Sequence, residues 1–318
     1  YDSLQAMAEA LAEKDTKVAG IGVMADQPPL RDPDAGDFRP APGGAAIDRG
    51  VRVFLPWGLA SVVGEWHFTP RADDATLIDD QHWYQTPYYA ERGMYRTTPR
   101  YPLRAVGVTR GDFVPSPVED WIDGALRLDG EGQYAVLKHE QIAAPFFYTV
   151  QGDATEYTVG PEEKKTVDID TGDLLVEAHL RTTDADGALV RKMRDGVGYE
   201  LALESGRPRL RLWDADGAEF EATGRADLSD GRWRHLLVEV DRDEGVRMYV
   251  DGKAITVAGG AVPQGSLRNE GDFFVGGGPG LEPLAVTLDF LRVARGTLRD
   301  ARTSIEELHA WQFHGPQY

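Results

Sequence analysis

Residues 230–253 read DGRWRHLLVEVDRDEGVRMYVDGK, and two incompatible structures fit them. Glu239, Asp241 and Glu244 spell E-x-D-x-x-E. A retaining glycosidase needs two carboxyl groups about 5–5.5 Å apart, one as nucleophile and one as acid/base. Alternate residues of a strand share a face, so Glu239 and Asp241 point the same way. Glu244 joins them only if the strand runs on past Asp243 with a bulge. The same letters also read as a hairpin, RHLLVEV out and VRMYVDG back, reversing at 241–245. Asp243, Glu244 and Gly245 are turn residues, and Gly245 permits positive φ. This reading puts the third acid at a solvated tip and expects the acids to project to water. Trp233 and His235 then open the hairpin as core and edge residues.

The rest of the chain favours strands and turns. Its 318 residues include 36 glycines and 19 prolines. From residue 115 onward, short alternating segments recur between Asp-Gly and Ser-Gly turns, the pattern of an antiparallel sandwich or barrel. ALRLD and QYAVL flank a Gly-rich turn. DLLVEAHLRT (173–182) sets Leu175, Glu177 and His179 against Leu174, Val176, Ala178 and Leu180. ALVRKM, GYELALES, RPRLRLWD and AEFEATG follow, then FFVGGG and LAVTLDFLRVARG. Residues 300–313 read as one helix with Ile305, Leu308 and Trp311 on its apolar face.

Composition removes several function classes. Basic residues number 34 against 53 acidic ones, a net charge of −19, with no Lys/Arg run to meet a duplex or an anionic membrane. Zero cysteines exclude disulfides, thiolate metal sites and cysteine nucleophiles. No apolar run reaches transmembrane length. The G-x-G-x-x-A of residues 20–25 lacks a feeding strand, and Pro28-Pro29 blocks a following helix, so it is not a dinucleotide loop. There is no G-x-S-x-G, H-E-x-x-H or Walker loop. The chain starts at Tyr1 without initiator Met or signal peptide, and is expected to be a processed or excised piece of something longer.

The N-terminal third reads differently. Residues 2–14 form one short helix with Leu4, Met7, Ala8 and Leu11 on one face. DFRPAPGGAAIDRGV (37–51) follows an acidic, proline-bearing loop. This order resembles the C-terminal end of right-handed parallel β-helix proteins of bacteria, although Gly43-Gly44 replaces the usual small Ser-Pro pair. Residues 51–68 alternate as two strands joined near Pro56. Residues 81–102 hold Trp83, Tyr84, Tyr88 and Tyr89 among prolines. They form either an aromatic platform for sugar rings or a connector packed between domains.

The segments from ALRLDGEGQYAVL through LSDGRWRHLLVEVDRDEGVRMYVDGK to LDFLRVARGTLRDARTSIEEL resemble, in order and spacing, the laminin-G-like, concanavalin A-like jelly roll of large bacterial surface proteins. The resemblance implies a mainly β fold of two stacked antiparallel sheets, with binding or spacing as the usual role. It also brings in endo-glycanases of the same fold, whose acidic strand lies in a cleft lined by indoles. In many such domains an Asp on the last strand joins main-chain oxygens in a structural Ca²⁺ site; Asp289, with Gly130 and Gly132, stands at the matching place.

The expected organisation is a β-helix end over 1–66, an aromatic connector over 67–117 and a laminin-G-like sandwich over 118–318. The expected function is a non-catalytic extracellular module of a secreted bacterial surface protein, binding glycan or protein or serving as an assembly unit, homo-oligomers included. The alternative is an endo-glycanase using Glu239, Asp241 and Glu244.

Overall fold

The computed structural model describes residues 30–32, 37–40, 62–79, 94–95, 101–118, 122, 124–143, 146–150, 156–159, 167–301 and 303–314. Internal contacts divide the chain into two units, Tyr1–Phe54 with Gly315–Tyr318, and Leu55–His314. In the first, the described residues form one antiparallel pair, β1 (Leu30–Asp32) with β2 (Asp37–Pro40). The helix expected over 2–14 lies outside the described residues, as does the rest of the expected β-helix end before residue 62.

The second unit is an antiparallel sandwich. In chain order its strands are β3 (Val62–His67), β4 (Leu77–Ile78), β5 (Met94–Tyr95), β6 (Leu103–Val106), β7 (Phe113–Val114), β8 (Ala125–Asp129) and β9 (Tyr134–Leu137). After the short helix α1 (His139–Ala143) come β10 (Phe146–Val150), β11 (Glu156–Val159), β12 (Leu174–Thr182), β13 (Gly187–Arg194), β14 (Val197–Glu204), β15 (Arg207–Trp213) and β16 (Glu219–Gly224). Then follow β17 (Trp233–Asp241), β18 (Gly245–Val250), β19 (Lys253–Ile255), β20 (Val257–Gly259), β21 (Phe273–Val275), β22 (Ala285–Arg295) and the helix α2 (Ile305–His314). One sheet runs β19-β18-β17-β12-β22-β8-β7, with β3 beside β8 along the same edge of β22. The other runs β20-β16-β15-β14-β13-β21-β9-β6-β4. β11, β10 and β5 form a third, small sheet.

Period-2 alternation builds the core. Leu174, Val176, Ala178 and Leu180 of β12, Leu236, Val238 and Val240 of β17, and Leu291 and Val293 of β22 point inward from the first sheet. Leu201, Leu203, Leu210, Leu212, Phe273 and Val275 meet them from the second. Burying each such side chain stabilises by about 1.5–3 kcal/mol. Trp66 of β3 ties the layers, its ring stacked 5.7 Å from Phe273 and its indole N–H donating to the Tyr101 carbonyl at 2.7 Å.

The sheets reach further toward the N terminus than residue 118. β3, β4, β6 and β7 all lie in them, so residues expected in the β-helix end and the connector complete the sandwich. Three of these strands are only two to four residues long, too short to show a period. The Gly-rich turn between β8 and β9 carries the chain from one sheet to the other instead of closing a hairpin. α2 begins at Ile305 because Ser304 and Glu307 form a reciprocal capping box, each side chain taking the other's backbone N–H at 3.2 Å.

Candidate functional site

The opening hairpin has the expected register, with Asp241 opposite Gly245, Glu239 opposite Arg247 and Val238 opposite Met248. Gly245 takes φ 117° at the reversal. Asp241 closes the turn, its Oδ1 accepting the backbone N–H groups of Asp243 and Glu244 at 3.0 and 2.9 Å.

Solvent exposure of the acids differs from the expectation. Only Glu244 is substantially exposed; Glu239 is 2% and Asp241 8% exposed. The cause is Arg247 on the return strand together with the loop after β22. Arg247 Nη1 donates to Glu239 Oε1 at 2.8 Å and lies 3.8 Å from Asp241 Oδ2, while Nη2 pairs with Glu244. Glu239 Oε2 accepts the Leu298 N–H at 2.9 Å, and Glu244 Oε1 accepts from Arg299 at 2.6 Å. The hydrogen bonds that Arg247 donates to Glu239 and Glu244 raise its pKa further above the usual guanidinium range. One fixed cation thus gathers all three acids.

The rest of this outer face is a buried polar layer. Glu177 and His179 of β12 face His235 of β17 and Arg292 of β22. Arg292, 1% exposed, pairs with Glu177 and grips Glu65 of β3 through Nη2 at 3.1 Å and Nε at 3.2 Å. His235 Nε2 lies 2.8 Å from Glu177 Oε1, and its Nδ1 3.1 Å from Nδ1 of His309 on α2. Burial pushes the Glu65 and Glu177 carboxyls up, but Arg292 and the adjoining histidines outweigh it and hold both below the usual range. α2 closes over the layer: the Phe313 ring centroid lies 4.7 Å from that of His179 and 5.1 Å from that of His235.

Asp289 is the bulged residue of β22 beside this layer. It is 0% exposed, accepting from Ser116 Oγ at 2.6 Å and lying 2.8 Å from His179 Nδ1. The carboxylate sits between serine and histidine, whereas activation of a serine places the histidine against the hydroxyl. Gly130 packs at Ala285, four residues and roughly 13 Å along β22 from Asp289. The structure therefore does not bring Asp289 to Gly130 and Gly132. No metal-holding group of three or more His, Asp or Glu occurs among the described residues. Trp83, Tyr84, Tyr88 and Tyr89 lie outside them.

Sequence reasoning missed Glu65, Arg292 and the pairing of Glu177 with His235. The signal was partial: alternation in DLLVEAHLRT put Glu177 and His179 on one face, but nothing local shows that this face is covered. Among the described residues no helix is long and apolar enough to cross a membrane.

Residues 157–302 match the family model Laminin_G_3, the concanavalin A-like lectin/glucanases superfamily. A comparison with curated proteins gives no match. Solved structures with a similar backbone include the binding domain of Paraclostridial Mosquitocidal Protein 1 (12% identity, TM-score 0.45), covering 81% of this chain and 53% of that one. Another is the receptor binding domain of botulinum neurotoxin D (7% identity, TM-score 0.48), covering 80% and 54%. The chain spans about half the length of these solved chains, and likeness at this level carries no functional inference. Over residues 157–302, the family match and the two stacked antiparallel sheets together identify a concanavalin A-like domain.

Proposed function

We propose that the chain is a non-catalytic binding or structural module of a larger secreted bacterial surface protein, engaging glycan or protein or spacing an assembly. The observation that carries this is Arg247. A retaining glycosidase keeps one carboxyl protonated as the acid and the other free to attack. Here Glu239, Asp241 and Glu244 all converge on one guanidinium, and Glu239 and Asp241 are buried beneath it. Leu298 caps Glu239, so a sugar ring has no approach to that carboxylate. The neighbouring part of the face is filled by α2 and the Glu177–Arg292 layer.

The experiment is incubation with β-glucans, galactans and glycosaminoglycans, reading released reducing ends, alongside affinity electrophoresis on the same polymers. No release supports the module. Release that disappears in both Glu239→Gln and Glu244→Gln, with both variants folded, makes the hairpin an active site instead.

A further inference from the structure

Lys192 is the buried cation of the opposite sheet. β13 points it inward, opposite Tyr199 on one neighbouring strand and Phe273 on the other. Its side chain is 0% exposed. Nζ donates to the Asn269 backbone oxygen at 2.6 Å and to the Asn269 side-chain oxygen Oδ1 at 3.2 Å, and lies 3.1 Å from Asp168 Oδ1. Asn269 is the single asparagine of the chain, and its amide is held in one orientation. Oδ1 accepts the Gly271 N–H at 2.8 Å; Nδ2 donates to the carbonyls of Leu267 at 3.1 Å and Lys192 at 3.5 Å. Gly271 reaches this position because it has no side chain: a Cβ there would lie 2.5 Å from the Met193 carbonyl oxygen and 2.8 Å from Asn269 Oδ1.

An amine, a polarised carboxamide and a carboxylate within hydrogen-bond reach are the components of an acyl transfer. We propose that Lys192 and Asn269 join through an amide bond between their side chains, with Asp168 carrying the protons. Asp168 takes a proton from the Lys192 ammonium, leaving the free amine. Nζ then forms a bond to Asn269 Cγ while the Gly271 N–H supports the negative charge developing on Oδ1, as an oxyanion-hole donor does. The protonated Asp168 passes its proton to Nδ2 and takes another from Nζ. The Cγ–Nδ2 bond breaks and ammonia departs to solvent, where it takes up the proton that Asp168 releases. One C–N bond forms and one breaks, and no oxidant or cofactor enters.

The surroundings favour each step. Burial drives Lys192 toward the neutral amine, against the opposing pull of Asp168. Fixed placement of amine and amide removes the entropic cost of encounter. Lys192 and Asn269 are both buried, which keeps the amine and the carboxamide out of bulk water. The link would close a covalent loop across 77 positions in a chain with no cysteine, tying β13 to the segment that leads into β21.

Intact-mass spectrometry of the denatured wild-type chain tests this. The expected mass is that of the sequence less one ammonia. Trypsin then releases a branched peptide joining Lys192–Arg194 to Asn269–Arg292, because acylated Lys192 is not cleaved. Lys192→Arg, Asn269→Ala and Asp168→Ala are expected at full sequence mass. A wild-type chain at full mass, giving separate peptides from the two segments, overturns the bond, and that measurement needs no variant to fold. Ammonia lost from Asp168→Ala overturns the role given to Asp168.

Discussion

The two sheets carry similar charges on their outer faces and use them in opposite ways. On the first, Arg292, Glu177 and Glu65 form one cluster with His235, which α2 covers, and Glu177 and Arg292 are almost wholly sealed from water. On the second, one cross-strand row runs Arg191, Glu200, Arg211, Glu221 from β13 to β16. Arg191 meets Glu200 at 2.7 Å and Arg211 meets Glu221 at 2.9 Å. Yet the side chains of Arg191, Arg211 and Glu221 keep 30%, 34% and 50% exposure. Both sets are ion pairs, but in the first Arg292 and Glu177 are both buried, whereas in the second only Glu200 is, and its arginine partners stay half-open to water. A covered pair becomes essential once formed, because removing one partner strands the other in low dielectric. An exposed row is screened, and its members stay replaceable.

The sharpest way to break this contrast is Arg292→Met. It leaves Glu65 and Glu177 without their common cation, and the expected loss is about 3–5 kcal/mol in urea unfolding. A loss equal to that at Arg211 would erase the distinction between the faces. Acid acts on the same cluster. Glu65 and Glu177 have folded pKa values below their unfolded ones, so their stabilisation is full above the ordinary glutamate range, about pH 4.3. It falls away as pH drops toward the folded values. Wild-type unfolding midpoints should therefore decline between about pH 5 and pH 3, and less steeply in Glu65→Gln.

Glu239→Gln comes next. The sequence alone made this change harmless, but the buried carboxylate holds both Arg247 and the Leu298 N–H, and the expected cost is about 1–3 kcal/mol. Glu244→Gln, at the exposed end of the same cluster, should cost less than about 1 kcal/mol. Arg211→Ala on the open row is the smallest change, within roughly 0–1 kcal/mol by the same unfolding assay, and shrinking further in salt.

These contrasts show what a sequence can carry. β12 to β18 were legible because each is six or more residues of alternation bounded by Asp-Gly or Ser-Gly turns. The hairpin register followed from Gly245 and the return of VRMYV. Whether Glu239 is wet or dry did not follow, since that depends on Leu298, 59 positions away. α2 was legible as a helix but not as a lid, because part of what it packs onto the sheet is polar: His309 and Gln312 besides Phe313. The pairing of Lys192 with Asn269 needs the register of three strands at once, which no local period encodes.

The grip of Arg292 on Glu65 spans 227 positions, and among the described strands β3 pairs with β22 alone. A ribosome adding about 5–20 residues per second takes roughly 10–45 s to deliver the second strand after the first. For that interval Trp66, the glutamate and their backbone amides have no sheet to join. β12, β17, β18 and β19 can pair before β22 is made, but β3 cannot join the layer until then, so its apolar Trp66 ring needs other cover for that interval.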